Sequence, residues 1–197
     1  MEIKEILYDE IDKIGKNAIR TQLSTDISNS KSLIDLLSNN CSSFLNKDNL
    51  YEDEFVSFSE ALLHFVLTVS LIPAERKISI DNIDIDILIP NSKHLKMDND
   101  KAILIHFLKD KNENINESIK KLSLLQKNLN NIWIVSSFLS NLKNLNFNIP
   151  TFVVSPHLSD NTFNNCSGNK LVYPFSEILI KIDEFLKKIN YSGLKIF

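Results

Sequence analysis

The sequence predicts an α/β fold: a mixed β-sheet flanked by helices, behind an N-terminal helical hairpin. Three observations carry this. Apolar residues in the first quarter of the chain recur at three- and four-residue spacing, as on one face of a helix. After Pro73 the period changes to two, through Ile78, Ile80, Ile83, Ile85, Ile87 and Ile89. Beyond that point short apolar runs alternate with helix-patterned stretches, the order of a sheet covered by helices.

Ile3, Leu7, Ile11, Ile14 and Ala18 form the first helical stripe, and a second helix over residues 32–46 offers Leu33, Leu36, Leu37, Cys41, Phe44 and Leu45. The polar stretch 24–30 separates them, so residues 1–55 read as a helical extension that covers the later domain or contacts a partner. A third helix is expected from Ser57, because Ser57-Phe58-Ser59-Glu60 fits a capping box in which hydroxyl and carboxylate each satisfy an orphan backbone donor. It should run to Leu71, before Pro73. Asp81-Asn82 supplies the turn of a tight hairpin between the first two strands. A third strand covers residues 101–109, and a helix follows with Ile115, Ile119, Leu122, Leu125 and Leu129 at helical spacing. Ile132-Trp133-Ile134-Val135 and Thr151-Phe152-Val153-Val154 read as buried strands, residues 156–170 as a long loop, Leu171-Val172-Tyr173 as a further short strand, and residues 176–190 as a closing helix. The second domain is thus residues 56–197.

Composition excludes several classes. The 197 residues carry 22 Lys+Arg against 25 Asp+Glu, a net charge of -3, so no overall basic attraction to nucleic acid exists and any such footprint must be local. Gly is 3 and Pro is 5, against collagen-like or Gly/Pro-rich disordered chains, and 43% apolar residues are enough for a core. Cys41 and Cys166 lie far apart without zinc-ligand spacing, which points to reduced thiols. The acidic start lacks a signal-peptide pattern, and the apolar run 61–72 is too short for a bilayer. A cytoplasmic protein without membrane contact is expected.

The residues with chemistry sit on the second strand. In Ile83-Asp84-Ile85-Asp86-Ile87 the isoleucines share one face and Asp84 and Asp86 the other. Buried carboxylates are costly unless paired or holding a metal, so this pair calls for cations. A hairpin turning at Asp81-Asn82 puts Lys77 opposite Asp86 and Ser79 opposite Asp84, and a Lys77–Asp86 cross-strand ion pair would be a purely structural solution.

With this strand in place, the chain resembles the PD-(D/E)XK, or restriction-endonuclease-like, nuclease superfamily, over residues 57–155. The resemblance implies a core of helix, three antiparallel strands, helix and strand, with a Glu on the first helix, an Asp on the second strand and Glu-x-Lys on the third, converging on divalent ions. Such ions and a Lys activate water against a phosphodiester. Carried over, Glu60 takes the helix position and Asp86 the strand position, with Asp84 beside it; Glu60, Asp84 and Asp86 are the implied metal ligands and Glu60, Asp86 and His106 the implied catalytic set. The third strand departs from the pattern: in Ile105-His106-Phe107-Leu108-Lys109, His106 and Leu108 fill the Glu and Lys slots, and Lys109 points to the opposite face unless a bulge re-aims it. Gln126 matches a glutamine that some branches keep near the site.

Leucine cannot polarise water, and neutral imidazole is a poor ligand for Mg²⁺ though acceptable for Mn²⁺. The expectation is a divergent, catalytically impaired nuclease-fold protein, with a degenerate site, that binds nucleic acid or serves as a structural subunit in DNA or RNA processing or repair. No cofactor is expected of an impaired site. The alternatives are an active metal-dependent phosphodiesterase, using Mg²⁺ or Mn²⁺ with a lysine recruited from Lys77 or Lys109, and a module that forms a homodimer or binds a protein partner through the N-terminal helices.

Overall fold

The structure is a computed structural model in which residues 3–45, 52–137, 145–154 and 171–191 are described. The expected loop 156–170, with Cys166, lies outside them. The chain divides into two compact units, residues 1–72 with 174–197, and residues 73–173. This grouping differs from a division at residue 55, because the third predicted helix and the closing helix group with the N-terminal ones.

The first unit is helical: α1 (Ile3–Ile14), α2 (Lys16–Thr25), α3 (Asn29–Leu45), α4 (Glu52–Val69) and the C-terminal α7 (Ile178–Lys188), which is entered through a 3-10 turn over Phe175–Glu177. The expected first helix is two, because Gly15, at φ 92, adopts a backbone that L side chains avoid and breaks the stripe after Ile14. The Asp26 side chain then accepts from the Ser28 amide (2.9 Å) and hydroxyl (2.7 Å), a local turn that sets up α3. The helical stripes are buried: Leu7 and Ile11 of α1, Ile19 and Leu23 of α2, Leu33, Ile34 and Leu37 of α3, Leu62, Leu63 and Val66 of α4, and Ile178, Leu179 and Ile182 of α7. Among the described residues of α1 to α3, Tyr8 and Leu36 are the large apolar ones that stay exposed. The described part of the stripes, expected either to cover the later domain or to contact a partner, is therefore mostly buried.

α4 begins at Glu52, a turn earlier than expected. Ser57 is consequently inside the helix and is no N-cap, and Ser59 Oγ, also mid-helix, donates back to the Val56 carbonyl at 2.7 Å. The capping-box assignment of Glu60 is thereby overturned: a hydroxyl–x–x–carboxylate spacing marks a helix start only where the upstream residues are not helical.

The second unit is built on a six-stranded sheet in the order β1 (Glu75–Ile80), β2 (Ile83–Ile89), β3 (Ile103–Phe107), β4 (Ile132–Ser136), β5 (Thr151–Val153), β6 (Val172–Pro174). β1, β2 and β3 are antiparallel and β3, β4 and β5 parallel, so the sheet is mixed as expected. Asp81 and Asn82 turn the hairpin with φ 51 and 60, the left-handed pair that a two-residue turn requires. The register is the expected one, Ser79 opposite Asp84 and Ile78 opposite Ile85.

Ile85 joins Leu88, Leu104, Ala102, Leu122 and Ile132 in one buried cluster, with Ile78, Ile80 and Ile83 packed against it. On β1, between the residues paired with Ile85 and Ile87, Lys77 has φ 47, a left-handed backbone that a residue with a Cβ adopts at a cost. α6 (Ile115–Leu125) contributes Leu122 to the cluster and packs Leu125 against it. An unforeseen short helix, α5 (Ser92–Met97), links β2 to β3, its start held by Asn91 Oδ1 on the His94 amide (3.1 Å) and by the Glu75 carboxylate on the Ser92 amide (3.0 Å). Glu75, at the start of β1, is thus a loop anchor.

Gln126 also turns out to be architectural. It is fully buried at the end of α6. Its amide donates to the carbonyls of Asn99 (2.6 Å) and Ala102 (2.8 Å), and its oxygen accepts from the Asn128 amide at 2.9 Å. It therefore clamps the chain entering β3 to the end of α6, at the other end of β3 from His106. Gln126→Ala should leave these groups short of partners and destabilise the fold by about 2–4 kcal/mol, measured as a lower urea midpoint at unchanged slope; a midpoint equal to wild type would show that water replaces the side chain.

Candidate functional site

Asp86 lies where β2 and β3 separate. Their paired residues run from Ile89–Ile103 to Ile87–Ile105, and beyond them the Asp86 side chain takes over the role of a backbone acceptor: its Oδ2 receives the Phe107 amide at 2.9 Å. The same oxygen is 3.0 Å from His106 Nδ1, and Oδ1 is 2.8 Å from the Lys109 ammonium. The other His106 nitrogen, Nε2, is 2.6 Å from Glu113 Oε1, which also accepts from Ser118 Oγ at 2.7 Å.

The result is a chain of groups, Lys109–Asp86–His106–Glu113–Ser118. An ionised carboxylate only accepts, so a ring with a carboxylate on each nitrogen must carry both protons; His106 is an imidazolium here. Two positive and two negative charges balance. Burial favours the neutral ring, but the hydrogen bonds and negative charge of Asp86 and Glu113 outweigh it and raise the His106 pKa to about 9. Burial likewise opposes ionisation of Asp86, yet His106, Lys109 and the Phe107 amide hold its carboxyl well below the usual range. Glu113 is also lowered: burial and the nearby Asp86 charge work against it, while His106 and Ser118 prevail.

Lys109 reaches Asp86 because β3 stops at Phe107. Leu108 still donates its amide to the Val135 carbonyl (2.9 Å) and is fully buried, after which the chain leaves the sheet and the side-chain alternation no longer applies. The expectation that Lys109 points to the opposite face is corrected: no bulge is needed, only the end of the strand. Glu113 arrives from the loop that follows, whose turn is fixed by its own amide on the Asp110 carbonyl (3.0 Å) and by the Asn112 amide on Asp110 Oδ1 (2.8 Å). Sequence reasoning missed it, since a polar loop has no periodicity; its one signal is a position just before Asn114, the N-cap of α6.

Three solved structures resemble the chain. One, "Restriction endonuclease PspGI-substrate DNA complex", is 17% identical with a TM-score of 0.55, covering 95% of this chain and 94% of that one. Two of Ecl18kI, metal-depleted and in complex with uncleaved DNA, modified in the first, are 11% and 10% identical with TM-scores of 0.60 and 0.56, covering 100% of this chain and 82% of theirs. The fold is restriction-endonuclease-like. No family model and no curated protein matches the chain.

Within the restriction-endonuclease-like fold, two of the sequence-derived residues come together. Asp86 and His106 meet, joined by Lys109 and Glu113. Asp84 is exposed beside the hairpin turn, opposite Ser79. Glu60 is buried on α4, in the helical unit. The donor chemistry of the Asp86 cluster can be set against a divalent ion. Two carboxylates are the oxygen ligands such an ion favours. As arranged, however, both Asp86 oxygens and Glu113 Oε1 already accept from protein donors, and the His106 ring fills the space between the two carboxylates; the arrangement does not fit an ion as it stands. Among the described residues no group of three His, Cys, Asp or Glu could hold one.

Several lysines around β3 and α6 are committed to neighbours within the chain. Lys101 is 3.7 Å from Asp98 and Lys121 3.2 Å from Glu117, while Lys127 donates to the Ser123 (3.2 Å) and Leu124 (3.0 Å) carbonyls at the end of α6. Among the described residues no helix is long and apolar enough to cross a membrane.

The network gives stability a defined pH dependence. The His106 pKa in the folded chain stands above its unfolded value of about 6.5, so its contribution is complete below that pH and lost as pH rises through about 9. Asp86 and Glu113 are lowered, so theirs is present above the ordinary carboxylate range and lost in acid. The wild-type Tm should fall between about pH 6.5 and 9, whereas His106→Gln should be less stable by about 3 kcal/mol below pH 6.5 and lose that slope. Thermal melts across this range decide it; an unchanged slope in His106→Gln would assign the titration to another group.

Proposed function

We propose that the chain is a DNA-binding protein on a restriction-endonuclease-like scaffold, impaired in phosphodiester cleavage and acting as a recognition or structural subunit in DNA processing. The observation that carries this reading is the saturation of Asp86: Lys109 at 2.8 Å, His106 at 3.0 Å and the Phe107 amide at 2.9 Å take up the carboxylate that would hold a metal against the scissile phosphate. The resemblance to endonucleases in DNA complexes supports DNA over RNA as the ligand. The reduced-thiol reading of the sequence supports a cytoplasmic setting, and the exposed Tyr8 and Leu36 support a self-contact or protein contact through the N-terminal helices.

A second reading has its own observation. Lys109 stands 2.8 Å from Asp86, so the lysine missing from the Leu108 slot is supplied from one residue further on. That supports an active metal-dependent nuclease in which Asp86, Glu113 and Lys109 serve and His106 moves aside.

Gel-shift and cleavage assays on labelled duplex and single-stranded DNA and RNA, with Mg²⁺ or Mn²⁺, separate the readings. The expected result is a salt-sensitive shift of DNA without cleavage, retained in Asp86→Ala. Metal-dependent cleavage that Asp86→Ala and Lys109→Ala each reduce by about a hundredfold or more would establish the nuclease reading instead. Absence of any shift would favour the protein contact.

A further inference from the structure

The disagreement between the Asp86 cluster and a divalent ion has a specific cause. A ring with a carboxylate on each nitrogen, at 3.0 and 2.6 Å, occupies the position that two converging carboxylates would offer to a metal. Its charge, delocalised over both N–H groups, meets the same requirement: two partly buried anions need a cation between them. The ring is part-buried, with 19% side-chain exposure, and is carried on a strand whose neighbours Ile105 and Phe107 are fully packed, so the protein backbone delivers it to that place. Ser118 holds Glu113 through the same oxygen that meets the ring, and the Phe107 amide holds Asp86. Both carboxylates are therefore positioned by groups other than the ring they embrace.

We propose that His106 is the resident cation of this site: its ring stands in for a divalent ion between Asp86 and Glu113, so the wild-type chain binds no divalent ion there, and removal of the ring exposes a latent two-carboxylate metal site. The proposal does not depend on DNA binding, and its test is made without DNA.

The test is titration of Mn²⁺, followed by loss of the free-ion electron paramagnetic resonance signal and by the shift of Tm, on the full chain as wild type, His106→Ala and His106→Ala/Glu113→Gln. Wild type should show no saturable binding. His106→Ala should bind one Mn²⁺ saturably, with a Tm that rises with the ion, and the added Glu113→Gln should weaken that binding by about tenfold or more and abolish the Tm shift. His106→Ser is a second variant with a smaller change in polarity, should His106→Ala fold poorly. Saturable Mn²⁺ binding by wild type, lost in Asp86→Asn, would overturn the proposal, because the ring would then be no barrier. Folded His106→Ala and His106→Ser proteins that both ignore Mn²⁺ would overturn it equally, because the carboxylates would not form a latent site.

Discussion

Two carboxylates, Asp86 and Glu113, face one another across a part-buried space at the end of the sheet, and everything around them serves to compensate that charge. A carboxylate removed from water must be neutralised, protonated or hydrogen-bonded. This chain does the first and third: the imidazolium and the ammonium supply charge, and the Phe107 amide and Ser118 hydroxyl supply hydrogen bonds. The placement follows from local rules. β3 ends at Phe107, the Asp86 side chain replaces a missing ladder partner, and the loop before the Asn114 cap turns Glu113 back toward the ring. Separately, Lys77 holds a positive φ on β1, between the residues paired with Ile85 and Ile87. Strained backbone beside a charged cluster is the pattern expected of a site rather than of a plain hairpin.

The sheet was legible from sequence because its signals are local and redundant. The change of period after Pro73, the Asp81-Asn82 turn and the uninterrupted apolar runs of β4 and β5 each identify a strand without knowledge of its neighbours. The helix boundaries were less so. Gly15 is visible in the sequence, but a single glycine in a helical stripe is tolerated often enough that its positive φ cannot be read from pattern alone. The Ser57–Glu60 spacing satisfied a capping rule while the helix began upstream at Glu52, because the rule tests four residues and not what precedes them.

At the site, Asp86 was singled out from the alternation along its strand and His106 from the family resemblance, and the alternation misplaced Lys109. Alternation holds only as long as the strand does. Where β3 stops is set by its pairing with β4 and by the demand of Asp86 for the Phe107 amide, both tertiary facts. Glu113 had no periodic signal at all. The residues that complete a charged cluster are commonly those on the loops leaving a sheet, which are free to be aimed but are silent in pattern analysis.

Charge balance bears on how such a scaffold could meet DNA. With His106 and Lys109 positive and Asp86 and Glu113 negative, the cluster is neutral. A divalent ion in place of the imidazolium would leave it one unit positive, able to draw a phosphate directly against Asp86. The neutral cluster offers no such surplus, so attraction to the DNA backbone has to come from basic groups elsewhere on the surface, in a chain whose net charge is -3. If the histidine stands where the fold's relatives would place a metal, as proposed above, two things are absent together: the Lewis acid that would activate a scissile bond, and the local positive charge that would hold it in place. Any DNA-recognition surface on such a scaffold would then be electrostatically independent of the Asp86 cluster. That independence is the physical sense in which a nuclease fold can persist as a binding module.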